Sequence, residues 1–423
     1  MNIKVRRSKC QGVVKLPASK SDMHRAIFAA CLSNGESRLE NITLSSDVEA
    51  TINAFKALGA IIKQEEDCLI IQGIKGFDEV DLNEIDCNES GSTLRFLIPV
   101  LSMFNSSFTL KGKESLFSRP LNVYEEIYSN QNLKFELNKK SLKIQGKLKE
   151  GEYVIRGNIS SQFISGLMFA LPLLKGDSKI KILPPFESKS YVNMTIKTLE
   201  EFGIIIYQIS EYEYEIKGNQ MYKPTTYKVE SDYSQFAFYA VLGAINNDIT
   251  CRGLNFKSLQ GDRDILKILD SFKVKYSVNN DSITVHKPVS LEGDMIDLSN
   301  CPDLGPSLIV LSLFNNKPVK IINIHRLRLK ESDRVEAMVT NLRKMKAKIE
   351  VFDNQMIIYP SKIKPPKEIL SPYNDHRILM SLVILASMLN GVTTIKNPEC
   401  VKKSYVNFYK DMQTIGIDIG LSN

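Results

Sequence analysis

What the 423-residue sequence lacks narrows its class first. It has no Cys-x-x-Cys pair: the seven cysteines, Cys10, Cys31, Cys68, Cys87, Cys251, Cys301 and Cys400, are odd in number and stand singly. A disulfide framework or a zinc site needs clustered spacing, so these read as free thiols of a reducing cytosol. Only four histidines occur, with no His-Glu-x-x-His, and a protein-held catalytic metal is not expected. The opening Met-Asn-Ile-Lys-Val-Arg-Arg lacks the apolar core, about 7–15 residues, of a secretory signal. The longest apolar run, 378–389, contains two serines and is too short to span a bilayer. A soluble cytoplasmic protein without a membrane partner is expected. Walker loop, G-x-G-x-x-G and G-x-S-x-G are all missing, so no glycine loop cradles a nucleotide and no nucleophile elbow is present.

What is present is ordinary globular composition, 43% hydrophobic and 24% charged, which excludes a disordered chain, a collagen-like fibre and a coiled coil. At about 150 residues per domain the length predicts two to three domains. The net charge, 55 − 48 = +7, suits anionic small molecules and nucleic acid alike.

A sixfold repeat decides the organisation. Six apolar, helix-length runs each follow a polar opening, anchored at Ser21, Ser92, Ser161, Ser234, Asp303 and Asp375; the intervals are 71, 69, 73, 69 and 72 residues. Each run ends in an Asn- or Gly-rich turn, such as Asn34-Gly35 or Asn390-Gly391, followed by a short β-branched strand. A second, amphipathic helix is predicted 26 to 29 residues after each anchor, near Asp47, Arg119, Ser190, Gly261, Ser332 and Ser404. Three of these helices meet a glycine, Gly59, Gly203 or Gly416, suited to a left-handed terminus. The unit is thus helix, strand, helix, strands, and six units make two globular halves of three, divided near residues 225–232.

Polar residues at these openings serve as helix caps, but helix N-termini also carry unpaired N–H groups and partial positive charge. Cations recur at the same places: Lys20 and Arg25, Arg95, Arg119, Lys330, Arg334, Arg377 and Lys403. Arginine opposes the dipole at a helix N-terminus, so its repeated placement there points to a bound anion, gripped as only a guanidinium can. Lys330 and Arg334 are predicted on one helical face at i, i+4. Proton-transfer candidates are Asp303, Glu331, Asp375 and Lys20, with a plain cap the competing role for Asp303.

These residues, taken in order, resemble the 5-enolpyruvylshikimate-3-phosphate (EPSP) synthase family along nearly the whole chain. The resemblance rests on Pro17-Ala18-Ser19-Lys20-Ser21 with Arg25, Ser90-Gly91-Ser92-Thr93-Leu94-Arg95, Arg119-Pro120, Ser160-Ser161-Gln162-Phe163, Ser188 and Tyr191, Pro302-Asp303, Lys330-Glu331-Ser332-Asp333-Arg334, Tyr373 to Arg377, and Lys403.

The resemblance implies a two-domain inside-out α/β barrel, three repeats to a domain, with residues 19–228 forming one domain and 1–18 plus 229–423 the other, and substrates in the cleft between them. It implies transfer of the enolpyruvyl group of phosphoenolpyruvate to the 5-hydroxyl of shikimate 3-phosphate, by a monomer, without cofactor, metal or nucleic acid. It assigns shikimate 3-phosphate to Lys20, Ser21, Arg25, Ser160, Ser161, Gln162, Ser188, Asp303 and Lys330. Phosphoenolpyruvate falls to Lys20, Gly91, Arg119, Gln162, Arg334, Arg377 and Lys403. Asp303 is the base toward the hydroxyl; Lys20 and Glu331 are the candidates at the methyl carbon. Glyphosate is the family's inhibitor. Two residues depart from better-known members: Glu89, where Asn is frequent, and Arg326, which replaces an Asn that contacts the shikimate phosphate in some members.

A sister reaction, enolpyruvyl transfer to UDP-N-acetylglucosamine, would require a reactive cysteine around residues 111–119, where none occurs. A basic nucleic-acid binder would show a continuous basic stripe with interleaved aromatics. The cations here stand singly at repeat anchors.

Overall fold

The computed structural model describes residues 1–77 and 84–422 of the chain. These form two compact units of mixed α/β structure, one of Ala18–Val229 and one of Met1–Pro17 with Glu230–Asn423.

In the Ala18–Val229 unit the helices are α1 (Lys20–Leu32), α2 (Ser46–Ala57), α3 (Gly91–Leu101), the one-turn α4 (Glu114–Phe117), α5 (Asn122–Asn130), α6 (Ser161–Ala170) and α7 (Lys189–Glu201). The other unit holds α8 (Tyr233–Ile245), α9 (Ile265–Ser271), α10 (Gly305–Leu313), α11 (Arg334–Lys344), α12 (His376–Ala386) and α13 (Phe408–Thr414). The six anchors open α1, α3, α6, α8, α10 and α12, each wrapped in apolar residues, as a helix buried on all sides must be. Every residue of α8, α10 and α12 is buried. In α1, α3 and α6 the exceptions are Lys20, Ser21, Ser92 and Gln162, all in the first turn. One phenylalanine from each of these three helices meets the other two: Phe28, Phe96 and Phe169 have ring centroids 5.3–5.4 Å apart. Contacts of that geometry add about 0.5–1.5 kcal/mol per pair beyond area burial.

The sheets follow one plan. In the second repeat Glu84–Asp86 runs parallel to Ser107–Lys111, which pairs antiparallel with Ser141–Gln145, itself antiparallel to Lys134–Leu137. Two repeats borrow their leading strand from a distance. Thr226–Lys228, at the end of its unit, runs parallel to Glu36–Glu40 of the first repeat. Gly12–Lys15 takes the same place beside Ile249–Arg252 in the fourth. In the sixth, Asn2–Arg6 lies between Val392–Lys396 and Ile419–Ser422. Among the described residues there are six sheets, five of four strands and the sixth of three, and none closes on itself. Their strands alternate buried and exposed positions, as in Glu152–Arg156, so one face covers the helices and the other meets solvent.

The second helices depart from the expected starts in three repeats. Arg119 does not open a helix; it stands in the link between α4 and α5, ahead of Pro120. Lys330 and Arg334 do not share a helix. Lys330 is extended after a 3₁₀ turn, His325–Leu329, and α11 begins only at Arg334, capped by Asp333 Oδ1, which accepts from the Glu336 N–H at 3.0 Å. In the sixth repeat a 3₁₀ turn, Pro398–Lys403, precedes α13, so Ser404 lies between the two.

Candidate anion sites, one in each unit

The first cluster gathers at the N-termini of α1, α3 and α6, in the Ala18–Val229 unit. Ser19, Ser90 and Ser160 cap these helices, accepting from the N–H groups of Asp22, Thr93 and Gln162. Lys20 therefore occupies the first turn of α1, and its ammonium lies 2.8 Å from Asp47 Oδ2 on α2. Gly91 is the first residue of α3, where a Cβ would lie 2.9 Å from Arg119 Nη1, 3.4 Å from Arg95 Nη1 and 3.7 Å from Gln162 Oε1. Arg95 donates to Gln162 Oε1 at 2.8 Å, and Gln162 Nε2 donates to Ser92 Oγ at 2.9 Å, which fixes the amide's orientation. Arg119 is 9% exposed, and its Nε and Nη2 are buried without a hydrogen-bond partner. Leaving buried donors unpaired costs about 1–3 kcal/mol each, more for a charged group. An oxyanion beside Gly91 would satisfy them.

Arg25 is buried one helical turn beyond Ser21. It donates to Thr195 Oγ1 at 2.8 Å, to the Ser21 carbonyl at 2.6 Å and to the Tyr191 carbonyl at 3.0 Å, all neutral acceptors. Burial lowers its pKa to about 10, against the pull of Asp22, so it stays charged at neutral pH. Ser188, fully buried, precedes α7 in a left-handed conformation, φ 54°, at a steric cost of about 1–2 kcal/mol. This cluster thus presents cations whose charge its own acceptors do not cancel at Arg25 and Arg119.

The second cluster, in the other unit, is self-neutralising. Arg334, 1% exposed, donates through Nε to Asp375 Oδ2 at 2.8 Å, through Nη1 to Asp303 Oδ1 at 2.8 Å and through Nη2 to Glu331 Oε2 at 2.5 Å. Asp303 also takes Lys330 Nζ at 3.1 Å and Arg377 Nη2 at 3.2 Å. Asp303 lies within a 3₁₀ turn, Pro302–Leu304, ahead of α10, and that helix has no side-chain cap. The plain-cap role therefore falls away for Asp303 and belongs instead to Asp375, whose Oδ1 accepts from the Arg377 N–H at 2.9 Å. Burial pushes the Asp303 carboxyl up, but Arg377, Lys330 and Arg334 override it and hold it well below the usual carboxylate range. Burial pulls Lys330 down. Lys403 Nζ donates to the Asn374 carbonyl at 2.6 Å, next to Asp375.

The two departures have partners. Glu89, 3% exposed, pairs with Lys113 at 2.5 Å, so its charge is compensated beside the α3 cap. Arg326 is buried on the turn that leads to Lys330. Among the described residues no group of three or more His, Cys, Asp or Glu is arranged to hold a metal ion, and no helix is long and apolar enough to cross a membrane. Sequence reading overlooked two carboxylates: Asp47, the partner of Lys20, and Asp262, whose buried Oδ2 accepts from Ser234 Oγ at 2.5 Å. Both lie 27 or 28 residues after a residue at the opening of an anchor helix, a spacing that marks them in the sequence.

The EPSP synthase (3-phosphoshikimate 1-carboxyvinyltransferase) family model matches residues 5–412. The chain is 44% identical to the 3-phosphoshikimate 1-carboxyvinyltransferase of Clostridium perfringens strain ATCC 13124 over 411 residues, 97% of each chain. It is 44% identical to that of Clostridioides difficile strain 630 over 429 residues, 98% of this chain and 97% of the relative. Among solved structures, EPSP synthase from Acinetobacter baumannii superposes with a TM-score of 0.83 at 21% identity, covering all of both chains. An enolpyruvyl transferase from Streptomyces tendae gives 0.81 at 16%, covering 99% of this chain and 98% of that one. Sequence match and shared fold agree: the chain belongs to the EPSP synthase family.

Proposed function

We propose that the chain transfers the enolpyruvyl group of phosphoenolpyruvate to the 5-hydroxyl of shikimate 3-phosphate and releases phosphate, as a cytoplasmic monomer. The observation that carries this reading is the pair of clusters: one with the Arg119 guanidinium left unpaired at Nε and Nη2 beside Gly91, one with a carboxylate, Asp303, held by three cations. Both substrates are multiply anionic, and we assign each of them ligands from both units. Shikimate 3-phosphate takes Lys20, Ser21, Arg25, Ser160, Ser161, Gln162, Ser188, Asp303 and Lys330; phosphoenolpyruvate takes Lys20, Gly91, Arg119, Gln162, Arg334, Arg377 and Lys403. The inside-out α/β barrel goes with this reading, supported by three buried helices and outward-facing sheets in each unit.

The chemistry is an addition followed by an elimination. The 5-hydroxyl oxygen attacks C2 of phosphoenolpyruvate and loses its proton while C3 gains one, giving a tetrahedral adduct. C3 then returns a proton as the C2–O bond to phosphate breaks. Asp303 receives the hydroxyl proton, and Lys20 or Glu331 serves C3. Without substrate Asp303 is a weak base, because its three cations stabilise its anion. An incoming carboxylate or phosphate on Arg334 and Arg377 competes for two of them, so substrate binding raises the basicity of Asp303 where the hydroxyl arrives. Phosphate release from phosphoenolpyruvate, measured with and without shikimate 3-phosphate, tests the reading. Release that requires shikimate 3-phosphate is expected; release indifferent to it would sink the proposal.

A further inference from the structure

Behind the first cluster runs a chain of hydrogen bonds between side chains that are all fully buried: His24, Thr51, Thr93 and Ser90. His24 stands one helical turn after Lys20 on α1. Its Nδ1 lies 2.8 Å from Thr51 Oγ1 on α2, and Thr51 Oγ1 lies 2.7 Å from Thr93 Oγ1 on α3. The Thr93 hydroxyl donates to Ser90 Oγ at 2.7 Å and approaches the Asp47 carbonyl at 3.4 Å. The chain therefore runs from His24, one turn from Lys20, to the cap of α3, which sets Gly91, with a branch at Thr93 to the backbone of Asp47, whose carboxylate holds Lys20.

The ring's state follows from its surroundings. Burial, then Lys20, then Arg25, keep His24 neutral by pulling its pKa well below the ordinary value. Nε2 is buried without a hydrogen-bond partner, and an unpaired N–H is costlier and rarer than an unpaired acceptor. The proton therefore belongs on Nδ1, which donates to Thr51. Thr51 in turn donates to Thr93, and Thr93 to Ser90, so every hydroxyl in the chain has one direction. A chain so ordered resists independent movement of its members, since turning one hydroxyl breaks two bonds.

We propose that His24 and Thr51 are positioning residues, a neutral imidazole–hydroxyl relay that fixes the first turns of α1, α2 and α3 against one another and so holds Lys20 and Gly91 in register for phosphoenolpyruvate. The proposal rests on the reading that Lys20 and Gly91 bind that substrate. Neither His24 nor Thr51 touches it.

The test is steady-state kinetics on the full chain, with each substrate varied, for wild type, Thr51→Val and Thr51→Ser, alongside thermal melts. Thr51→Val keeps the shape but has no hydroxyl to accept from His24 or donate to Thr93. It should raise KM for phosphoenolpyruvate roughly tenfold, the scale of one lost buried hydrogen bond, and raise KM for shikimate 3-phosphate by a smaller factor, because Lys20 serves both substrates and Gly91 phosphoenolpyruvate alone. Thr51→Ser should return both values to within about twofold of wild type. A Thr51→Val protein that melts earlier with both KM values unchanged, or raised equally, overturns the relay and leaves a packing role. Lys20→Met and Gly91→Ala in the same assay separate the two ideas. If neither raises KM for phosphoenolpyruvate, the site reading itself fails; if both do and Thr51→Val does not, only the relay fails. Should Thr51→Val not fold, ¹⁵N-histidine spectra of the wild type decide, with His24 assigned by its displacement in Thr51→Ser. An Nδ1–H neutral ring whose signals respond to phosphoenolpyruvate is expected; an Nε2–H ring, a protonated ring, or indifference to the ligand overturns the proposal.

Discussion

Lys20 Nζ and Asp47 Oδ2 meet at 2.8 Å across twenty-seven residues of chain, one opening the first helix of its repeat and the other the second. The same relationship recurs with different chemistry. Ser234 reaches Asp262 across 28 residues, Asp303 reaches Arg334 across 31, and the Asn374 carbonyl takes Lys403 across 29. In the second repeat the place of the first partner is taken by Gly91, with Arg119 closing over it. The repeat thus brings two helix openings together, and function is written by which residues occupy them.

That geometry separates two arginines that both bind phosphoenolpyruvate in the proposed site. Arg119 has two buried nitrogens without partners, so Arg119→Ala should leave the melting temperature nearly unchanged. It should raise KM for phosphoenolpyruvate by the equivalent of about 1.5–3 kcal/mol for a lost charged hydrogen bond. Arg334→Ala strips one cation from Asp303, Glu331 and Asp375 together, and breaking buried pairs costs about 3–5 kcal/mol. It should melt much earlier as well. Equal thermal losses in the two variants would contradict the distinction.

Asp303→Asn should lower kcat by roughly 10²–10⁴, the usual weight of a positioned base, without raising KM for phosphoenolpyruvate. The amide removes a negative charge that competes with substrate for Lys330, Arg334 and Arg377. Turnover near the wild-type value would reduce Asp303 to a counter-ion.

Gly91→Ala inserts a methyl group 2.9 Å from Arg119 Nη1. The far end of the arginine gives way more easily than the helix backbone, so the displaced group is the anion ligand itself. A longer ligand suffers more from the narrowed site, and glyphosate inhibition should fall by a larger factor than phosphoenolpyruvate affinity. The ratio of the two losses is the quantity to measure; equal losses would leave Gly91 a turn-forming residue only.

The helix ends show where sequence reading stops. Gly59, Gly203 and Gly416 signal left-handed termini, and each adopts one, with φ between 78° and 97°. The other three second helices end the same way at Asn132, Lys273 and Lys346, with φ of 56°, 62° and 68°. All six show the 6→1 backbone bond of a Schellman motif, for example Ala60 N–H to the Phe55 carbonyl at 2.9 Å and Val274 N–H to the Leu269 carbonyl at 2.9 Å. A lysine carries no local mark of that conformation; the tertiary repeat imposes it. The site divides likewise. The sixfold spacing and the cations at the openings are legible in the sequence. Asp47 and Asp262 are legible by position alone, 27 and 28 residues after an opening; that each meets a partner there is not, because nothing local distinguishes such a carboxylate from one that merely starts a helix.

Lys273 and Lys346 are exposed, so replacing either with glycine removes the Cβ clash of the left-handed region with little loss of packing. Against the entropy that glycine restores to the unfolded chain, a net gain of about 0.5–1 kcal/mol remains. Lys273→Gly should raise the melting temperature by a few degrees or less and leave both KM values alone. A lower melting temperature would show that the lysine side chain stabilises its surroundings.

Asp262 supplies a prediction with a pH window. Burial, then the nearby Asp303, push its carboxyl up to about 6, against Arg377 and the Ser234 hydroxyl. An aspartate in the unfolded chain titrates near 3.9. Between about pH 4 and pH 6 the folded form therefore binds the extra proton, and stability falls as pH rises through that interval. Asp262→Asn does not titrate there, so its stability relative to wild type should climb from pH 4 to pH 7 by on the order of 1–3 kcal/mol, then level off. Asp303 runs the opposite way. Its carboxyl is held well below the unfolded value, so its contribution is present above about pH 4 and lost only as pH falls further. Denaturant melts of wild type and Asp262→Asn between pH 4 and pH 8, and of wild type and Asp303→Asn from pH 8 down to about pH 2, read both effects. A stability difference between Asp262→Asn and wild type that stays flat between pH 4 and pH 8 would show that Asp262 is ionised throughout, its charge met by Arg377 and Ser234 despite its burial.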